Sequence, residues 1–247
     1  MGKTHEALER AEKEYGQSFL GPQPEARKAP EDQPRKASTP SNLECYQSLK
    51  TNLLGRYPNG AIKAILFAGT THGDGASTTA INFATTMARD CRLKVLLLDF
   101  NFRTPSLHEV FKIDYPFGLT EVLKDGTEMM SKIMRVGPGN LYVLPCGRHQ
   151  STPAALFESG QFDAFLKSAR DQFEYVIMDA PPVPRFSESR IICAKVDGVV
   201  LVVGSGKTRR QVALRAKKEI EDAGGKVLGL VLNRRKHYIP EWIYKRL

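Results

Sequence analysis

Residues 61–82 read AIKAILFAGTTHGDGASTTAIN: an apolar run, a glycine-bearing loop and a Ser/Thr-rich start to a helix. The pattern predicts a buried strand over 62–68 that aims the loop 70–75 at a first helical turn. Unsatisfied backbone N–H groups and the positive end of a helix dipole meet there, which favours an anionic phosphate. Gly73 and Gly75 let the main chain approach such a ligand, and Ser77 or Thr78 offers the hydroxyl that ligates Mg²⁺ in a G-x-x-x-x-G-K-[ST] loop. Two positions depart from that pattern: Thr70 stands at the first glycine and Ala76 at the lysine. The stretch therefore matches a phosphate cradle in shape and lacks its usual cation.

Outward from this loop, strands and helices alternate. Residues 77–90 read as a helix, and 93–98 (LKVLLL) form a continuous apolar run ending in Asp99, as expected of a central parallel strand buried on both faces. Two short helices are expected within 117–134 around Asp125-Gly126, a strand at 140–144, a largely helical stretch at 152–172, and strands at 175–178, 198–203 and 226–232. Thr208-Arg209-Arg210-Gln211 reads as the cap of a helix that stops at Gly224-Gly225. Gly206-Lys207-Thr208 imitates the end of a phosphate loop, but Leu201, five residues before Gly206, lies inside a strand, so no loop exists there to wrap a ligand. Upstream, Ser41-Asn42-Leu43-Glu44 is a capping box opening a helix with Leu43, Tyr46, Leu49 and Leu53 at helical spacing. The fold class expected is α/β, a doubly wound, mostly parallel sheet that binds ligands at the carboxyl ends of its strands.

At 247 residues the chain suits one such domain with extensions. Residues 1–40 combine a short amphipathic helix (4–15), able to dock on a partner or to fray, with a Pro-, Gln-, Lys- and Glu-rich linker expected to be flexible. The folded domain is expected over 41–233 and a basic tail over 234–247. No apolar run approaches a membrane span and no signal-peptide core is visible, so a cytoplasmic protein is expected. Cys45, Cys91, Cys146 and Cys193 are far apart and read as small core residues in a reducing compartment. The net charge is +9, and residues 207–247 carry twelve basic and four acidic side chains. That region is either a solvated helix with i,i+4 pairs or a face for an anionic membrane surface or nucleic acid.

Two strands end in aspartates that should converge beside the loop, Asp99 in LLLDFNFRTP and Asp179 in YVIMDAPP. Carboxylates so placed hold Mg²⁺ through water, or take a proton from an attacking hydroxyl.

On these motifs the chain resembles the bacterial tyrosine kinases of the polysaccharide-export type, CpsD/CapB-like members of the MinD/ParA-type P-loop ATPases, over nearly all of 41–233. The family's GEGKST loop aligns with Gly73 to Thr78, its D-x-D-x-R-x-P motif with Asp99 to Pro105, and its I-I-D-T-P-P with Ile177 to Pro182. VDGVVLVV (196–203) and VLGLVLNR (227–234) are similar to its closing strands.

The resemblance implies ATP or ADP with Mg²⁺ as cofactors, both weakly held, on Gly73, Asp74, Gly75, Ala76, Ser77, Thr78 and, on the adenine side, Asn233. It implies Ser77, Asp99, Asn101 and Asp179 around the metal, and Asp99, Asp179 and Arg103 in catalysis. It further implies a membrane polysaccharide co-polymerase or chain-length regulator as partner, at the inner membrane, with Arg234, Arg235, Lys236, Lys245 and Arg246 near anionic headgroups. Nucleic acid is not expected as a partner.

The departures fall on chemistry and assembly: Ala76 for the lysine, Asn101 for the second aspartate, Glu188 for an aspartate, and Glu44, Gln47 and Lys50 for E-x-x-R-x-x-R. Self-association is accordingly expected to be weak, and phosphoryl transfer weak or lost. Two other readings stay open: an active autokinase with a compensating cation from elsewhere, and a MinD/ParA-like ATPase acting on membrane or DNA.

Overall fold

The continuous apolar runs become strands buried on both faces. In the computed structural model, which describes residues 40–235 except 59, 91–92, 114–116, 138 and 149–152, β1 (Ala64–Gly69), β2 (Val95–Asp99) and β5 (Tyr175–Ala180) are buried at every position. With β3 (Met134–Val136), β4 (Leu141–Leu144), β6 (Gly198–Gly204) and β7 (Val227–Asn233) they form one seven-stranded sheet in the order β3-β4-β2-β5-β1-β6-β7. All pairings are parallel except β3 with β4. That antiparallel edge strand is absent from the sequence reading, because three residues with two exposed side chains carry no alternation to detect.

The helices are α1 (Pro40–Arg56), α2 (Ala76–Asp90), α3 (Leu107–Phe111), α4 (Leu119–Asp125), α5 (Pro153–Phe157), α6 (Gly160–Gln172), α7 (Ser187–Cys193) and α8 (Arg210–Asp222). Because both faces of the sheet are apolar, two cores result. One holds Ile65, Phe67, Leu97 and Ile177 against Leu53, Phe83, Met87 and Leu107 of α1, α2 and α3. The other holds Leu66, Leu96, Leu98 and Met178 against α4 to α8, through Leu123, Phe157, Phe162, Leu166, Ile192 and Ile220. The stretch 152–172 is two helices, because the Ser159 side chain accepts the Phe162 N–H and starts a new helix.

Two further local expectations change. Thr208 does not cap α8: its hydroxyl goes to Asp74 and Arg209 takes the cap position without a side-chain bond. Of the cysteines, Cys146 and Cys193 are buried, but Cys45 is exposed on α1. Burial pushes the Cys193 thiol up to about 12, so it stays an inert core group. Cys91, the side chains of the capping box from Ser41 to Leu43, the helix at 4–15 and the tail beyond 235 lie outside the described residues. Among the described residues no helix is long and apolar enough to cross a membrane.

Candidate active site

The sheet order places β1 between β5 and β6, so the loop after β1 sits at the carboxyl ends of three parallel strands. Gly73 and Gly75 both take the left-handed backbone, at φ 81° and 90°, which the turn into α2 requires. A cleft of about 370 Å³ opens over this turn. Its wall includes Gly73 to Thr78 on the loop and α2, Asn101, Thr104 and Ser106 after β2, Ala180 at the end of β5 and Pro182 beyond it, and Arg234 after β7.

Asp74 contributes its backbone to this wall, while its carboxylate is used within the loop. The Thr70 and Thr71 backbone N–H groups donate to Oδ2 at 3.0 and 2.8 Å, and the hydroxyls of Thr71 and Thr208 donate to Oδ1 at 2.9 and 3.0 Å. Burial alone would raise its pKa, but the hydrogen bonds, with that of the Thr70 hydroxyl foremost, outweigh it and hold the carboxyl below 3.8. Asp74 is thus a brace of the loop's shape.

Asp99 and Asp179 are partners in the β2–β5 register, which is why two residues eighty positions apart meet. Their environments differ. Asp99 Oδ1 accepts the Asn101 N–H at 3.0 Å, and Oδ2 accepts the N–H groups of Ser106 and Leu107 at 3.0 and 3.2 Å. It therefore shapes the segment 100–107, and burial, opposed by those three bonds, lifts its pKa to about 6. Asp179 is fully buried and, among the described residues, neither oxygen has a partner with hydrogen-bond geometry. Burial first, and the charge of Asp99 second, push its pKa well above 3.8; the nearby Ser77 hydroxyl pulls weakly the other way.

An orphaned buried carboxylate is costly, and a divalent cation held with the Ser77 hydroxyl would satisfy it. The residues present therefore fit Mg²⁺. Asn101 and Thr78 line the same cleft, and Ser106 adds a buried hydroxyl without a partner.

The remaining candidates stand elsewhere. Arg103 is outside the cleft wall: its Nε donates to the buried Glu188 at 3.2 Å and its guanidinium lies over Phe186. Asn233 faces the loop rather than open space, donating from Nδ2 to the Asp74 carbonyl at 2.9 Å. Lys207, set aside with its false motif, reaches back to donate to the His72 carbonyl. Arg234, assigned from sequence to the basic tail, lines the cleft instead. Strand ends that fold together carry these last three contacts, and no local sequence signal announces them.

No protein-family model matches the chain. It is 32% identical over 195 residues to the tyrosine-protein kinase YwqD of Bacillus subtilis, covering 79% of this chain and 82% of that protein. It is 31% identical over 192 residues to the tyrosine-protein kinase CpsD of Streptococcus pneumoniae serotype 4, covering 77% and 83%. Among solved structures, the chimerical protein CapA2B2 superposes with a TM-score of 0.76 at 27% identity, over 82% of this chain and 88% of that one. The septum site-determining protein MinD of Pyrococcus horikoshii, solved with Mg-ADP, gives a TM-score of 0.60 at 19% identity, over 74% and 76%, a likeness of fold alone.

Proposed function

Because the chain belongs to the bacterial tyrosine-protein kinases, we propose that it is a nucleotide-binding component of capsule or exopolysaccharide assembly whose phosphoryl transfer is weak or lost. The observation that carries this reading is the unpartnered Asp179 carboxylate beside an intact backbone cradle in which Ala76 stands at the lysine position. The backbone N–H groups of the loop 73–78 would hold the phosphates of ATP or ADP. Ser77 and Asp179 would hold Mg²⁺, with Asn101 and Asp99 shaping the metal's surroundings. The metal, when bound, neutralises charge developing on the phosphates. Burial and the charge of Asp99 favour the protonated form of Asp179, so metal binding there would be coupled to loss of that proton. Asp99, spent on three backbone donors, acts as a positioning group in this scheme, and Arg103 orders the segment 100–107 through Glu188.

Without a lysine, binding loses one charge-assisted contact and transfer loses a preorganised donor, so rate suffers more than affinity. Calorimetry with ATP or ADP and Mg²⁺ tests the occupancy of the cleft, and a labelled-ATP assay tests transfer. Absence of any nucleotide heat would sink the reading. Ala76→Lys supplies the missing ammonium at the first turn of α2, and ATP affinity should rise roughly ten- to a hundredfold by the same calorimetry. No gain would mean that the loop has left nucleotide-binding geometry.

The two ends of the chain complete the reading: residues 4–15 would bind a membrane subunit of the polysaccharide machinery and the basic residues beyond Arg234 would lie near anionic headgroups, holding the protein at the inner face of the membrane. Self-association is weak in this reading, for a reason visible on α1. Gln47, at a family arginine position, donates to Asp90 of its own chain at 3.0 Å. Asp90 lies below 3.8 because that bond, the Arg89 contacts and the Lys50 charge together outweigh its slight burial. These exposed groups are engaged with one another within one protomer rather than with a neighbour's carboxylate. Light scattering at micromolar concentration should give a monomer mass, and a stable ring would refute this part.

A further inference from the structure

The cleft has no lysine at position 76, yet its wall includes an arginine. Arg234 lines it together with Gly73 to Thr78, and among the described residues makes no ion pair. Its backbone is left-handed, at φ 56°, a region that a residue with a long side chain rarely occupies unless its surroundings hold it there. Asn233 does the holding. Its Oδ1 accepts the Arg234 N–H at 2.8 Å while its Nδ2 donates to the Asp74 carbonyl at 2.9 Å, so one amide ties the root of Arg234 to the turn of the phosphate loop. The same Nδ2 lies against Gly75, only 2.1 Å from where a Cβ would be, and Gly75 precedes Ala76. Lys207, the other cation near the loop, is spent on the His72 carbonyl and does not line the cleft.

We infer that Arg234 supplies to the nucleotide phosphates the cation that Ala76 does not, entering from the end of β7 instead of from the helix. The inference rests on the nucleotide-binding reading above. A guanidinium suits the task, since its planar fork matches two phosphate oxygens at once. Stacking on a base is the competing use of the same group, and among the described residues of the cleft wall the one aromatic ring is His72, on the phosphate loop itself.

The test uses the full chain and calorimetry with Mg²⁺ and four probes: ATP, ADP, adenosine and inorganic tripolyphosphate. Arg234→Asn removes the charge with a residue that tolerates the left-handed backbone, and Arg234→Lys keeps the charge without the fork. The asparagine variant should weaken ATP and tripolyphosphate roughly ten- to a hundredfold, ADP less, and leave adenosine unchanged. The lysine variant should recover part of the loss, and melting curves should match the wild type. Equal losses for ATP and adenosine would assign Arg234 to the base and overturn the inference, as would unchanged ATP affinity in both variants. If the wild type binds neither ATP nor tripolyphosphate, the nucleotide reading fails and takes this one with it. If the wild type binds both and Arg234→Asn binds equally well, this inference alone falls.

Discussion

Gly75→Ala should abolish measurable nucleotide binding and lower the melting temperature by about 6–12 °C, the shift expected for roughly 3 kcal/mol in a domain of this size. Two independent costs add. The left-handed backbone at φ 90° is disfavoured for any residue with a Cβ, by about 1–2 kcal/mol. The new Cβ would also lie 2.1 Å from Asn233 Nδ2. A side-chain amide can usually swing away cheaply, but this one is anchored at both ends, to the Asp74 carbonyl and the Arg234 N–H. Displacing it gives up two hydrogen bonds of about 1 kcal/mol each. Thermal melts and calorimetry with Mg·ATP read both effects. A variant that melts with the wild type and keeps its ATP affinity would show that Asn233 is no clamp. Gly73→Ala should be milder, because there the Cβ meets only the end of the Lys207 side chain, at 3.0 Å.

Asp179→Asn should make the metal-free protein more stable near pH 8 while eliminating Mg²⁺-dependent nucleotide binding. The wild-type carboxylate is fully buried without a hydrogen bond and shares its site with Asp99, so its ionised form is disfavoured. Its folded-state pKa lies above the unfolded value, and that of Asp99 is raised to about 6. Groups shifted this way contribute stability that is fully present below 3.8. It is lost as pH rises, first through about 6 for Asp99 and then higher for Asp179.

Asp74 has the opposite sign, its contribution being lost only as pH falls through a folded value below 3.8. In EDTA the wild type should therefore lose melting temperature as pH rises through about 6 and beyond, and Asp179→Asn should show a flatter profile. At pH 8 the variant should melt above the wild type. Mg²⁺ should stabilise the wild type and not the variant. A variant that melts lower than the wild type in EDTA at pH 8 would mean that the Asp179 carboxylate has a native partner.

Much of this molecule follows from the order of its residues. The runs at 64–69, 95–99, 175–180 and 198–204 are so uniformly apolar that only strands buried on both faces accommodate them. The helical stretches between them then leave a parallel sheet as the consistent arrangement, and the loop Thr70 to Gly75 must lie at its carboxyl edge. The convergence of Asp99 and Asp179 was legible for the same reason, each ending a strand of that sheet.

What each polar group does at that edge was decided only by the tertiary structure. Asp74 and Asp179 are both aspartates next to the cleft, yet one is saturated by Thr70, Thr71 and Thr208 and the other has no partner. Three of the contacts that settle such questions, Thr208 to Asp74, Lys207 to His72 and Asn233 to Asp74, span 134, 135 and 159 positions of sequence. Hydrophobic periodicity fixes which face of a strand is buried. It says nothing about which donor beyond that strand's end comes within 3 Å of a given oxygen, because this depends on sheet order and on the direction in which each loop leaves the sheet. Arg234 reads as the first residue of a basic tail for the same reason: its place in the cleft is set by β7 pairing with β6 and by one amide, Asn233, turned toward the loop.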